Sequence, residues 1–114
     1  MKLSLFPIAM LLLLAATGCQ KTLYDWGRYE QSVFNMYSSS ADFSVGSEID
    51  RLQEEVERTE RRKLAIPPGK MAHLGYLYLM AGDSERARAC FEKERVLFPE
   101  GEEFMEFLLE RLQG

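Results

Sequence analysis

Small and aromatic side chains at fixed intervals in the C-terminal half of the chain constrain its fold more than any other feature. Two amphipathic segments, 70–81 and 84–98, are separated by Gly82 and Asp83, a combination typical of a turn followed by a helix cap. A glycine in the first segment lets two helices approach closely, and larger side chains then interdigitate between them. The pattern predicts a helical hairpin whose core comprises Leu74, Gly75, Tyr78, Ala87, Phe91 and Pro99.

The spacing of these residues resembles the tetratricopeptide repeat, which has a period of about 34 residues. Counted from Pro68, the resemblance implies a core repeat over 68–101, in which Pro99 ends the second helix. Met71 replaces the usual tryptophan, and Glu94 replaces a usual small residue. Because a single repeat cannot bury its own apolar face, flanking helices must complete the core.

Three further segments supply candidate helices for this purpose. The segment 102–113 continues the repeat register and predicts a C-terminal capping helix. Tyr29–Ser38 is a candidate helix, and Glu48–Leu64 is another, largely charged and therefore expected to be solvated, whose start at Ser47 resembles a capping box. The predicted fold is all-α: a short tetratricopeptide-like array of about four helices over 27–114, after a cleaved signal peptide.

The N-terminus carries a short and predominantly apolar run. Lys2 precedes the run, which extends from Leu3 to Ala16. Its 14 residues suit the apolar part of a signal peptide and are fewer than the roughly 20 that a membrane-spanning helix needs. Residues 1–18 are therefore predicted to be removed.

The end of this run has the order Ala16, Thr17, Gly18 and Cys19, which resembles the lipobox of bacterial lipoproteins. The resemblance implies cleavage before Cys19 and attachment of lipid to its thiol, although Ala16 stands where leucine is usual. Several buried acyl chains make such an anchor effectively permanent. Gln20, in place of aspartate, implies sorting to the outer membrane, facing the periplasm. Residues 19–26 would then form a lipidated lead-in.

Charge and reactive residue types argue against several classes of function. The mature chain loses Lys2 and keeps 13 of the 14 basic side chains against 18 acidic ones, a balance that does not favour nucleic-acid binding. His73 is the one histidine and Cys90 the one cysteine left after lipidation, so we expect no metal site and no cofactor. Cys90 is predicted to be a small buried apolar residue, and no catalytic set is visible.

Apolar and aromatic side chains are the remaining candidates for a site. Ala72, Tyr76, Leu79 and Met80 have the spacing that lines the concave groove of tetratricopeptide proteins. The alternative, which so few repeats favour over an open groove, is that they pack against the helix at 48–64. Tyr24 and Trp26 either lie at the level of the lipid headgroups, where amphipathic rings are favoured, or cover the helical core.

Several runs of residues recur together in one known type of protein. They are Tyr24–Tyr29, Pro67–Gly75, Leu97–Glu100 and Phe104–Leu109. Over roughly residues 19–112 they resemble a family of small bacterial lipoproteins of unknown function, whose members tend to be encoded beside a lipoprotein similar to the curli-secretion pore and a third small lipoprotein. The resemblance implies a pore-like envelope partner and supplies no catalytic residue.

Together these features predict a lipid-anchored protein-interaction or assembly module for an outer-membrane complex, and not an enzyme. A structural lipoprotein that associates with itself is the main alternative. An envelope hydrolase is a third interpretation, which the absence of a recognisable catalytic set disfavours.

Overall fold

The computed structural model describes residues 23–38, 41 and 43–114. The predicted signal peptide and the lipobox residues Ala16, Thr17, Gly18 and Cys19 lie outside the described residues. The described part contains five α-helices, one for each of the five candidate segments, and the all-α prediction is confirmed. They are α1 (Tyr29–Tyr37), α2 (Val45–Arg61), α3 (Lys70–Met80), α4 (Ser84–Leu97) and α5 (Glu102–Arg111).

Helices α3 and α4 form the predicted hairpin at the centre of the domain. Gly75 is the point of closest approach, because a Cβ atom built on it would lie 2.7 Å from Cε1 of Phe91. The side chain of Asp83 caps α4 by accepting a hydrogen bond from the Arg86 amide at 3.0 Å, so of the two caps that the sequence allows, Asp83 and Ser84, it is Asp83 that forms. Four other predicted core residues are buried, namely Leu74, Tyr78, Ala87 and Phe91.

The flanking helices cover two sides of this hairpin. On α2, Leu52 and Val56 are buried in the same core, and the hydroxyl of Tyr78 donates a hydrogen bond to the Gln53 side chain at 2.8 Å. On α5, Met105 and Leu109 are buried. The core of the domain therefore has contributions from four helices, as the repeat argument requires.

One predicted helix boundary and one predicted core residue are wrong. Helix α2 begins at Val45, three residues before the predicted start, so Ser47 lies inside the helix and does not cap it. Its N-cap residue is Ser44, whose side chain makes no capping hydrogen bond. Pro99 is exposed and begins a 3-10 turn, Pro99–Gly101, so it stops α4 without joining the core. Proline has no amide hydrogen, and at the first position of a turn that hydrogen would have no partner within the turn. Proline is therefore well tolerated there.

The last residues of the predicted lead-in, 24–26, are attached to the domain. Tyr24 forms an isolated parallel bridge with Ala65, and the Asp25 amide donates to the Ala65 carbonyl oxygen at 2.9 Å. The ring of Tyr24 meets Phe98 edge to face, with 6.3 Å between centroids. Residues 24–26 therefore belong structurally to the helical domain. No helix in the described residues has both the length and the apolar character needed to cross a bilayer.

The close approach at Gly75 gives a direct test of the hairpin. Gly75→Ala should destabilise the domain by about 1–3 kcal/mol, because the new methyl group overpacks the contact with Phe91. Gly46→Ala is the matched control, since nothing lies within 4 Å of a Cβ at Gly46 in α2. We expect that variant to be neutral or slightly more stable. Equal thermal midpoints for Gly75→Ala and the parent would contradict the described packing.

Candidate functional site

An apolar groove of about 450 Å³ lies between α1, α3 and α5. Its floor includes Ala72 and Leu79, and Phe91 reaches it from α4. Helix α1 forms one wall through Val33 and Met36. None of the described residues that line it carries a formal charge at neutral pH. The groove is therefore suited to apolar side chains.

Three of the four predicted groove residues line this space. Ala72, Tyr76 and Leu79 face it from α3, whereas Met80 is exposed and is not among the lining residues. Helix α2 contacts another side of α3, as the hydrogen bond from Tyr78 to Gln53 shows. The groove face of α3 is thus bordered by α1, and not by the helix at 48–64 that the alternative interpretation proposed.

Large aromatic side chains stand at the mouth of the groove. Tyr76 is 50% exposed, Tyr37 is 78% exposed and Phe104 is 59% exposed. These three residues come from α3, α1 and α5 respectively, so the folded domain brings together rings that are far apart in the sequence. Exposed aromatic rings around an apolar space are characteristic of protein-binding sites.

A buried polar contact attaches α1 to α3 beside the groove. Ser32 Oγ and His73 Nε2 lie 3.0 Å apart, and the ring of Tyr29 meets the imidazole edge to face. Burial lowers the pKa of His73, and the nearby Glu48 carboxylate partly opposes that shift. The imidazole is therefore neutral near neutral pH, which suits a hydrogen bond to a hydroxyl.

This serine–histidine pair fixes the position of α1 and does not resemble a catalytic dyad. Ser32 is buried and is not among the residues that line the groove, so a substrate there has no route to its hydroxyl. Nucleophilic catalysis would also need hydrogen-bond donors directed at a developing oxyanion. We assign the contact a structural role, which is to hold α1 against α3. No local sequence pattern reveals this contact, because Ser32 and His73 are 41 positions apart.

A buried ion pair lies at the start of α3. Lys70 Nζ is 3.0 Å from Glu55 Oε2, and the side-chain exposures are 0% and 8%. At this distance the two charges attract each other, but the contact does not have the geometry of a hydrogen bond. An isolated buried charge is strongly unfavourable, so each member of the pair requires the other.

The carboxylate of Glu55 also holds the segment before α1. Both of its oxygens accept from the Arg28 amide, each at 3.2 Å. One helical turn further along α2, the Thr59 hydroxyl donates to the Asp25 carboxylate at 2.8 Å. These contacts fix residues 25–28 against α2 and thereby set where α1 begins.

Glu94 explains a departure from the repeat pattern. Its carboxylate, from α4, accepts from the Gly69 amide at 2.5 Å and from the Ala72 amide at 3.3 Å, at the N-terminus of α3. Burial raises the pKa of Glu94, and these backbone hydrogen bonds partly counteract the effect. Gly69 has φ +89°, a conformation that favours glycine. A small residue at position 94 would leave these amides without this acceptor.

The remaining reactive groups of the described residues include no metal-binding cluster and one buried thiol. No group of three or more histidine, cysteine or acidic side chains there has a metal-binding arrangement. Cys90 is buried, and burial raises its pKa to about 11, so the thiol is protonated near neutral pH. A protonated buried thiol is a poor nucleophile, in keeping with the prediction of a small apolar core residue.

Two of the sequence runs that resembled one family meet in space. The Glu55 carboxylate connects Tyr24–Tyr29 to Pro67–Gly75, because it pairs with Lys70 and accepts from the Arg28 amide, and the ring of Tyr29 contacts His73. The profile of DUF4810, described as a domain of unknown function, matches residues 23–108. No curated protein and no solved structure matches the chain.

Proposed function

This chain belongs to the DUF4810 family, and we propose that its mature form is a lipid-anchored module that binds another protein of the bacterial envelope. The observation that carries the proposal is the uncharged groove between α1, α3 and α5, with three exposed aromatic rings at its mouth. Rings of this kind dominate the binding energy of many protein interfaces. We propose no enzymatic activity for this groove.

The shape of the groove supports an extended or helical apolar segment as its ligand. Ala72 and Leu79 are two helical turns apart on α3, which places about 10 Å of floor between them. An amphipathic helix can insert side chains at successive turns into such a groove. The described residues offer a single β-bridge and no strand edge to which a peptide strand would add.

The anchor and the cellular location are part of the same proposal. We propose that Cys19 carries the lipid, and that Gln20 directs the protein to the inner face of the outer membrane. The order of residues from Ala16 to Cys19 supports the first step. A permanent anchor would keep the groove close to other envelope lipoproteins and raise its effective concentration there.

We further propose that the partner is a lipoprotein similar to the curli-secretion pore, as the resemblance to a family of small tetratricopeptide-like lipoproteins implies. Self-association through the groove is the alternative, and it places a second copy at the same site. An envelope hydrolase is the weakest candidate, because Ser32 is buried and does not line the groove, although its partner His73 does.

The anchor can be tested by labelling cells with a fatty-acid analogue. The parent protein should incorporate the label, and Cys19→Ser should not, because the thiol that accepts the lipid is absent. Cys90→Ser is the matched control and should be labelled normally. Label on the Cys19→Ser protein would contradict the proposed anchor.

The groove can be tested by crosslinking the lipidated protein in cells and identifying what is recovered with it. Tyr76→Ala should weaken binding of the partner by more than about 1 kcal/mol, since it removes an aromatic ring at the mouth. Val96→Ala is the control, because Val96 is exposed on α4 and does not line the groove.

Circular dichroism establishes whether both variants remain folded. Unchanged recovery of the same partner by folded Tyr76→Ala would contradict the groove assignment. Recovery of only a second copy of this chain would support the self-associating alternative instead.

A further inference from the structure

A second exposed surface lies where the lead-in enters the domain, and we propose that it docks on anionic phospholipid headgroups of the membrane that holds the anchor. We call it the anchor-side patch and define it by Leu23, Leu64 and Leu97, with Arg62 and Lys63 beside them. The inference rests on the proposed lipidation of Cys19. It concerns a different surface from the groove, with which it shares no lining residue.

The apolar part of the patch is built by the parallel bridge between Tyr24 and Ala65. Leu23 and Leu64 precede the two bridged residues, so they lie on neighbouring segments. Leu23 is 74% exposed, and Leu64 and Leu97 are each about 40% exposed. Leu64 and Leu97 line one shallow cavity together with Tyr24. Leucine side chains gathered in this way favour a partner that removes them from water.

The short stretch of chain between Cys19 and the patch indicates that this partner is the membrane. Only three residues separate Cys19 from Leu23. Even when fully extended, these four peptide steps span at most about 14 Å. A lipidated Cys19 therefore holds the patch at the bilayer surface, whatever path the intervening residues take.

The charges of the patch are complementary to anionic headgroups. Arg62 and Lys63 are exposed, and neither makes an ion pair with another described residue. Lys93 lines the cavity beside Leu64, where its ion pair with Glu60 neutralises that acid. Basic side chains near an anionic membrane are attracted to its surface, and leucines next to them insert at the interface.

The surroundings of the groove carry the opposite charge. Glu30 lies in the shallow pocket that adjoins the groove on α1, and Glu103 lies in the one that adjoins Phe104 on α5. No lysine or arginine is among the described residues that line these two pockets. An anionic bilayer therefore attracts the anchor-side patch and repels the mouth of the groove, which leaves the groove accessible to a protein partner.

Trp26 provides the measurement, because it is the single tryptophan of the chain and its ring lies 6.0 Å from that of Tyr24. The lipidated protein is reconstituted into phosphatidylcholine vesicles, with or without about one third phosphatidylglycerol. Both sets contain phospholipids brominated near the headgroup, which quench tryptophan on contact. We expect Trp26 to be quenched about twofold more strongly in the anionic vesicles, with loss of the difference at high salt.

The variant Arg62→Glu/Lys63→Glu should reduce quenching in anionic vesicles to the phosphatidylcholine level or below. Arg111→Glu, which reverses a charge at the far end of α5, is the control and should behave as the parent. Leu23→Ser should reduce quenching in both kinds of vesicle, and it leaves the core intact because Leu23 is largely exposed.

Equal quenching in the two kinds of vesicle, or the same quenching in parent and charge-reversed protein, would overturn the inference. Protection of Trp26 that depends on protein concentration and not on lipid would overturn it as well, because a second copy would then cover the patch. Absence of fatty-acid label on the parent would show instead that the proposed anchor is wrong. A labelled protein that recovers its partner through Tyr76 but shows no lipid quenching leaves the proposed function intact and refutes this docking surface.

Discussion

The buried ion pair between Lys70 and Glu55 connects α2, α3 and the segment immediately before α1. Lys70 is the first residue of α3, Glu55 lies in the middle of α2, and the Arg28 amide immediately before α1 is bound by the same carboxylate. Breaking a buried pair by removing one partner typically costs about 3–5 kcal/mol, because the other charge stays in an apolar environment. The position of α1, and with it one wall of the groove, depends on this contact.

A second acidic side chain organises the other end of the same junction. Glu94 binds backbone amides at the start of α3, so α4 caps the helix against which it packs. At the N-terminus of α3, the Glu55 carboxylate therefore pairs with Lys70, and the Glu94 carboxylate accepts hydrogen bonds from backbone amides. Negative charge is favourable at a helix N-terminus, and both carboxylates are shielded from water. This arrangement fixes the groove floor at Ala72, which lies in the first turn of α3.

The hairpin could be predicted because its determinants are local. Gly75, Ala87 and Phe91 lie within one repeat length, and Asp83 caps the helix that it directly precedes. The cap of α2 could not be located in the same way, because Ser44 and Ser47 are both plausible N-cap residues and only packing distinguishes them. Pro99 was correctly identified as the end of a helix, but a stop signal does not indicate burial.

The candidate site was only partly predictable. Ala72, Tyr76 and Leu79 followed from helical spacing, whereas the wall supplied by α1 depends on how that helix is held against the hairpin. Glu55 lies in a run of charged side chains that is typical of a solvated face, yet it is buried. A lysine 15 positions away gives no periodic signal that would reveal this pairing. Contacts of this kind arise from the tertiary fold and not from any local pattern.

The ion pair between Lys70 and Glu55 is expected to hold residues 24–28 on the hairpin. Amide hydrogen exchange of the folded protein, followed by NMR, tests it most directly. We predict that the Arg28 amide exchanges about as slowly as that of Leu77 in the core of α3, since both open only when the domain unfolds. Exchange of the Arg28 amide at the rate of an exposed loop, with the Leu77 amide still protected, would contradict the claim.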